Sequence, residues 1–71
     1  MNDALIIECV RSHYPGEVSV SQIAEDLGIR YDMSMVPLLR RSLERLAETG
    51  VIASHRCEAV RFFRFIPEEA D

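Results

Sequence analysis

Apolar positions recur at helical spacing from the start of the chain. Leu5, Ile6, Cys9 and Val10, continued by His13 or Tyr14, predict a first helix capped by Asn2 or Asp3 and stopped by Pro15-Gly16. Glu17-Val18 reads as a short extended piece. Ser19 to Ile29 then carries a start signal, an amphipathic stripe and a stop. Ser19 and Gln22 have the spacing of a capping box, in which the serine hydroxyl accepts from the Gln22 backbone N–H and Gln22 reaches back. Val18 before the cap and Ile23 at the fourth helical position form a hydrophobic staple, and Ile23, Ala24 and Leu27 make the buried stripe. Gly28 ends the helix in the left-handed conformation that a residue with a Cβ resists.

A turn over Arg30 to Met33 leads to a third helix at about 34–49. Ser34 is its expected cap, Pro37 is tolerated at its third position, and Val36, Leu39, Leu43, Leu46 and Ala47 form its inward stripe. Gly50 closes it at the C′ position. Val51 to Ser54 and Val60 to Ile66 are two β-rich runs around a short polar link, which predicts a hairpin. Strand alternation turns Phe63 and Phe65 to the core and Arg64 outward, with Phe62 partly exposed. The pattern describes a small α+β fold.

Ser19 to Ile29, followed by Leu39, Leu43, Leu46, Gly50-Val51-Ile52 and Arg61-Phe62-Phe63-Arg64-Phe65, resembles a winged helix-turn-helix domain over about Asp3 to Pro67. The resemblance implies three helices with a C-terminal β-hairpin wing, as one domain over 1–67 followed by an acidic tail at 68–71. It further implies a small DNA-binding transcriptional regulator, with the third helix in the major groove of double-stranded DNA and the wing on the backbone. Carried onto this chain, the contact residues are Arg30, Ser34, Arg40, Arg41, Arg45, Arg56, Arg61 and Arg64. A homodimer fits the limited contact area of one such module. The interval from Gly28 to Gly50 is longer than the pattern of that superfamily by about one helical turn, around Tyr31 to Met35, where the recognition helix normally enters the groove.

Charge is unevenly distributed. The chain of 71 residues has a net charge of −4, but residues 30–64 carry +3 while 1–29 carry −4 and 65–71 carry −3. Because salt screens beyond about 8 Å, a polyanion nearing the third helix and hairpin responds mainly to the local excess. All eight basic residues are arginine, which a GC-rich coding sequence explains and which also suits bidentate recognition. A helical wheel puts Arg41 and Arg45 outward with Ser34, Pro37, Leu38 and Glu48, where the arginines can read a guanine edge or grip phosphates. The same face is equally compatible with intrahelical pairs Arg40–Glu44, Arg41–Glu44 and Arg45–Glu48, each contributing about 0.2–0.5 kcal/mol. A rival reading takes Tyr31, Met33, Met35 and Leu38, with Pro37, as an apolar surface over 31–38 that docks a protein partner or a second copy.

Several classes are excluded or disfavoured. With 48% apolar residues, a chain of this length forms one core and buries roughly 60% of its unfolded surface. No long apolar run or leader pattern directs it to a membrane, so cytoplasmic residence is expected, and the chain reads as a complete small protein. No phosphate-cradling glycine loop, nucleophile elbow or His-Glu-x-x-His motif is present, so neither catalysis nor a cofactor or small-molecule ligand is expected, and Glu25-Asp26 reads as the solvent side of the second helix. Cys9 and Cys57 lack Cys-x-x-Cys spacing and read as free thiols. The alternative is that Cys9 with His13, four apart on a helix, and His55 with Cys57, two apart on a strand near the hairpin tip, each share a face and supply two ligands to a tetrahedral metal.

Overall fold

The computed structural model describes residues 2–29 and 34–67. Expectations for Arg30, Tyr31, Met33 and the tail 68–71 lie outside the described residues. The elements follow in the order α1 (Asp3–Ser12), β1 (Val18–Ser19), α2 (Val20–Asp26), α3 (Met35–Glu48), β2 (Ile52–Cys57) and β3 (Val60–Phe65). The fold is α+β, with three helices against a three-stranded antiparallel sheet of order β1-β3-β2.

Local signals account for most boundaries. The Asn2 side chain accepts from the Ala4 N–H and starts α1, and the Ser19 hydroxyl accepts from the Gln22 N–H at 3.2 Å and starts α2. Both glycine stops form the same motif. The N–H of Ile29 donates to Ala24 O and that of Gly28 to Glu25 O, while Val51 donates to Leu46 O and Gly50 to Ala47 O. Gly28 and Gly50 have φ of +69° and +84°, as this 6→1 and 5→2 pairing requires.

β3 is the centre of the sheet and Phe63 the centre of the core. Phe63 pairs with Val18 of β1 and Ser54 of β2 and is 1% exposed. Around it are buried Ile6 and Val10 of α1, Ile23 and Ala24 of α2, Leu39 and Leu43 of α3, and Ile52. Tyr14, after α1, meets Phe65 edge to face with ring centroids 6.2 Å apart. No helix among the described residues is long and apolar enough to cross a membrane.

Four local expectations are corrected. Leu5 is 59% exposed, because it lies about 100° around α1 from Ile6, outside the stripe set by Ile6, Cys9 and Val10. Gln22 does not close the capping box but donates from Nε2 to Asp26 Oδ1 at 2.9 Å, one turn further on. Ser34 occupies the cap position of α3 with a helical backbone and no side-chain cap bond. β2 continues past Ser54 through His55, Arg56 and Cys57, so the loop is only Glu58-Ala59, and His55 and Cys57 lie on a strand as their spacing as a pair predicted.

Candidate functional site

The arginines of α3 separate by helical angle. Leu39, Leu43 and Leu46 point inward, which sends Arg40 and Glu44 to the side of the hairpin, Arg41 away from the core and Arg45 to the side of α1. Two ion pairs mark these directions. Glu44 Oε1 accepts from Arg61 at 3.1 Å, and the Arg45 guanidinium donates to both oxygens of Asp3 at 2.8 and 2.7 Å. Glu44 and Arg45 are therefore engaged in tertiary contacts rather than in the intrahelical pairs that spacing along α3 suggested.

Sheet register sorts the hairpin arginines in the same way. Arg56 lies directly opposite Arg61, two positions beyond the Ser54–Phe63 pair, so both belong to the face that carries Phe63 and Ile52. Arg64 pairs with Ala53 and projects from the opposite face, with Phe62 and His55. The core face thus runs past the edge of the apolar core into an open groove of about 340 Å³. Ser19, Val20 and Ser21 at the start of α2 line it, with Arg40 and Glu44 from α3 and Arg56 and Arg61 from the hairpin.

Three guanidinium groups against one carboxylate leave this groove positively charged. Like charges directly opposite on adjacent strands are destabilising, and Glu44 offsets only the Arg61 side of the Arg56/Arg61 pair. Among the described residues, Arg40, Arg41, Arg56 and Arg64 take part in no ion pair. Of the sequence-derived set, Arg40, Arg56 and Arg61 converge here and Arg41 lies on the adjoining exposed face. Ser34 stands at the exposed start of α3, while Arg45 and Arg64 point elsewhere. Of the apolar set, Leu38 is 50% exposed and Met35 half-buried.

A second cluster lies between α1 and α2. Asp26 Oδ2 accepts from the Cys9 thiol at 3.5 Å and lies 2.7 Å from His13 Nε2. The His13 hydrogen bond, followed by that of Gln22, holds the Asp26 carboxyl below its ordinary pKa. Burial, followed by the Asp26 hydrogen bond and charge, pushes the Cys9 thiol up to about 11. His55 and Cys57 do not join this group. His55 Nδ1 is 3.3 Å from Glu17 Oε2 on the outer face of the sheet, and Cys57 is exposed there.

Sequence reasoning found Cys9 and His13 from their four-residue spacing but missed Asp26, Asp3 and Glu44, whose partners lie 13 to 42 positions away. No sequence signal marks such partners, because only the packing angle of α1 and the hairpin against α2 and α3 brings them into reach. No protein-family model matches the chain, and no curated protein or solved structure matches it.

Proposed function

We propose that this chain is a small DNA-binding regulator of winged helix-turn-helix type. In this reading α2 and α3 form the helix-turn-helix, α3 enters the major groove, and the β2–β3 hairpin is the wing that grips adjacent backbone. The observation that carries it is the basic groove between α3 and the hairpin, where Arg40, Arg56 and Arg61 face only Glu44 and where Arg56 and Arg61 are held opposite each other. Exposed Arg41 extends the same surface toward base edges. Phosphate oxygens bind guanidinium pairs well, and such contacts supply most of the affinity for nonspecific DNA.

The test is titration of a fluorescent random-sequence duplex at several salt concentrations with wild type and Arg40→Ala/Arg56→Ala. Each phosphate-neutralising group contributes about 0.9 to the slope of log K against log salt, so the double variant should lose about 1.8. Absence of binding by the wild type at low salt, or an unchanged slope in the variant, overturns the proposal. Exposed Leu38 beside Met35 supports a second reading, in which this edge of α3 docks a second copy or another protein. Salt-insensitive self-association lost in Leu38→Ser is the result that favours it.

A further inference from the structure

We propose that Cys9, His13 and Asp26 form a zinc-binding site that clamps α1 to α2. The three residues offer a thiol sulfur, an imidazole nitrogen and a carboxylate oxygen, all within 4.8 Å of one another. Zinc bonds of about 2.0–2.3 Å arranged tetrahedrally require ligand atoms about 3.3–3.8 Å apart. The Cys9 Sγ to Asp26 Oδ2 distance of 3.5 Å already meets this. The His13 Nε2 to Asp26 Oδ2 distance of 2.7 Å must open by about 0.6 Å, a shift open to a partly exposed imidazole by a small rotation.

The surroundings suit an ion. Cys9 and His13 lie four residues apart on one face of α1, the spacing at which two side chains on a helix converge on a single point. Gln22 holds the other Asp26 oxygen at 2.9 Å, the kind of outer support that orients a ligating carboxylate. Cys9 is 8% exposed, whereas the side chains of His13 and Asp26 are 35% and 31% exposed. Three ligands thus come from the protein, and the solvent side is left for a water as the fourth. Thiolate, imidazole and carboxylate are the three donor types of zinc sites, and a thiolate disfavours magnesium and calcium. On binding, the Cys9 thiol releases its proton to solvent and His13 coordinates through Nε2 as the neutral imidazole, keeping its remaining proton on Nδ1. In the metal-free state a buried thiol abuts a carboxylate, an arrangement that disfavours the thiolate and that a dication reverses. The cluster shares no residue with the basic groove, so the inference stands apart from the DNA-binding reading.

The test uses the full chain, reduced and freed of metal, titrated with cobalt(II) and then zinc(II). One equivalent of cobalt should produce a thiolate charge-transfer band with visible bands of tetrahedral intensity, and zinc should displace both. Asp26→Asn and Cys9→Ser should weaken binding at least about tenfold, and Cys57→Ser should leave it unchanged. With zinc at about a hundredfold excess over Kd, the wild-type Tm should rise by about 10 °C or more, and that of Asp26→Asn by far less. Because Asp26 is on the surface and asparagine is isosteric, this variant tests the site even if Cys9→Ser fails to fold. No charge-transfer band in the wild type, an equal band in Asp26→Asn, or a band abolished by Cys57→Ser overturns the assignment.

Discussion

The Arg45–Asp3 contact tests whether the face of α3 is divided as described. Two hydrogen bonds of 2.8 and 2.7 Å, both donated by Arg45 Nη2, tie the last turns of α3 to the first turn of α1, across 42 positions of sequence. The side chains are 55% and 38% exposed, so the pair belongs to the class that contributes about 0.2–1 kcal/mol, and its two short charge-assisted hydrogen bonds place it in the upper half of that range. Asp3 also lies at the positive end of α1, a separate contribution of about 0.3–1 kcal/mol. Arg45, in the last turn of α3, has the matching contribution at that helix's negative end, so urea denaturation of wild type, Asp3→Ala, Arg45→Ala and the double variant should give comparable single losses and a coupling of about 0.5–1 kcal/mol. For a domain of this size that coupling corresponds to about 2–8 °C in Tm, and it should shrink at high salt. In the duplex titration, Arg45→Ala should leave the affinity close to wild type while Arg41→Ala lowers it. A coupling below about 0.2 kcal/mol, or an Arg45→Ala loss of DNA affinity equal to that of Arg41→Ala, refutes the division.

Gly50→Ala should cost about 1 kcal/mol, because nothing lies within 4 Å of the added Cβ and the penalty comes from φ of +84° alone; an unshifted urea midpoint contradicts this. In the metal-free protein, the lowered pKa of Asp26 means that its contribution to stability is present above its ordinary value of 3.8 and lost as pH falls through the folded-state value. The raised Cys9 pKa acts at the other end, with stability intact below 9.0 and lost as pH climbs toward about 11. Asp26→Asn should flatten the acid limb and Cys9→Ala the alkaline one, read as urea midpoint against pH; limbs unchanged in the variants refute the assignments. Under native conditions a disulfide reagent should modify exposed Cys57 rapidly and buried Cys9 slowly, and equal rates contradict the burial of Cys9.

What the sequence determined by itself is what depends on near neighbours along the chain. The Ser19 cap, the stops at Gly28 and Gly50, the Leu39, Leu43 and Leu46 stripe and the inward Phe63 all follow from backbone sterics and from the periods of 3.6 and 2, which act over a few residues. The tertiary structure decided the rest. Strand register set Arg56 against Arg61 and Arg64 on the opposite face. It also carried β2 on to Cys57, because backbone pairing with β3 holds polar residues that the apolar pattern assigned to a loop. Glu44 and Arg45 turned to Arg61 and Asp3 rather than to neighbours on their own helix. Asp26 left its expected solvent role to gather Cys9, His13 and Gln22. The physical reason is common to all of these. A charged or polar side chain on a helix surface has several partners within reach of one another in energy, and only the docking of α1 and the hairpin decides which of them is close.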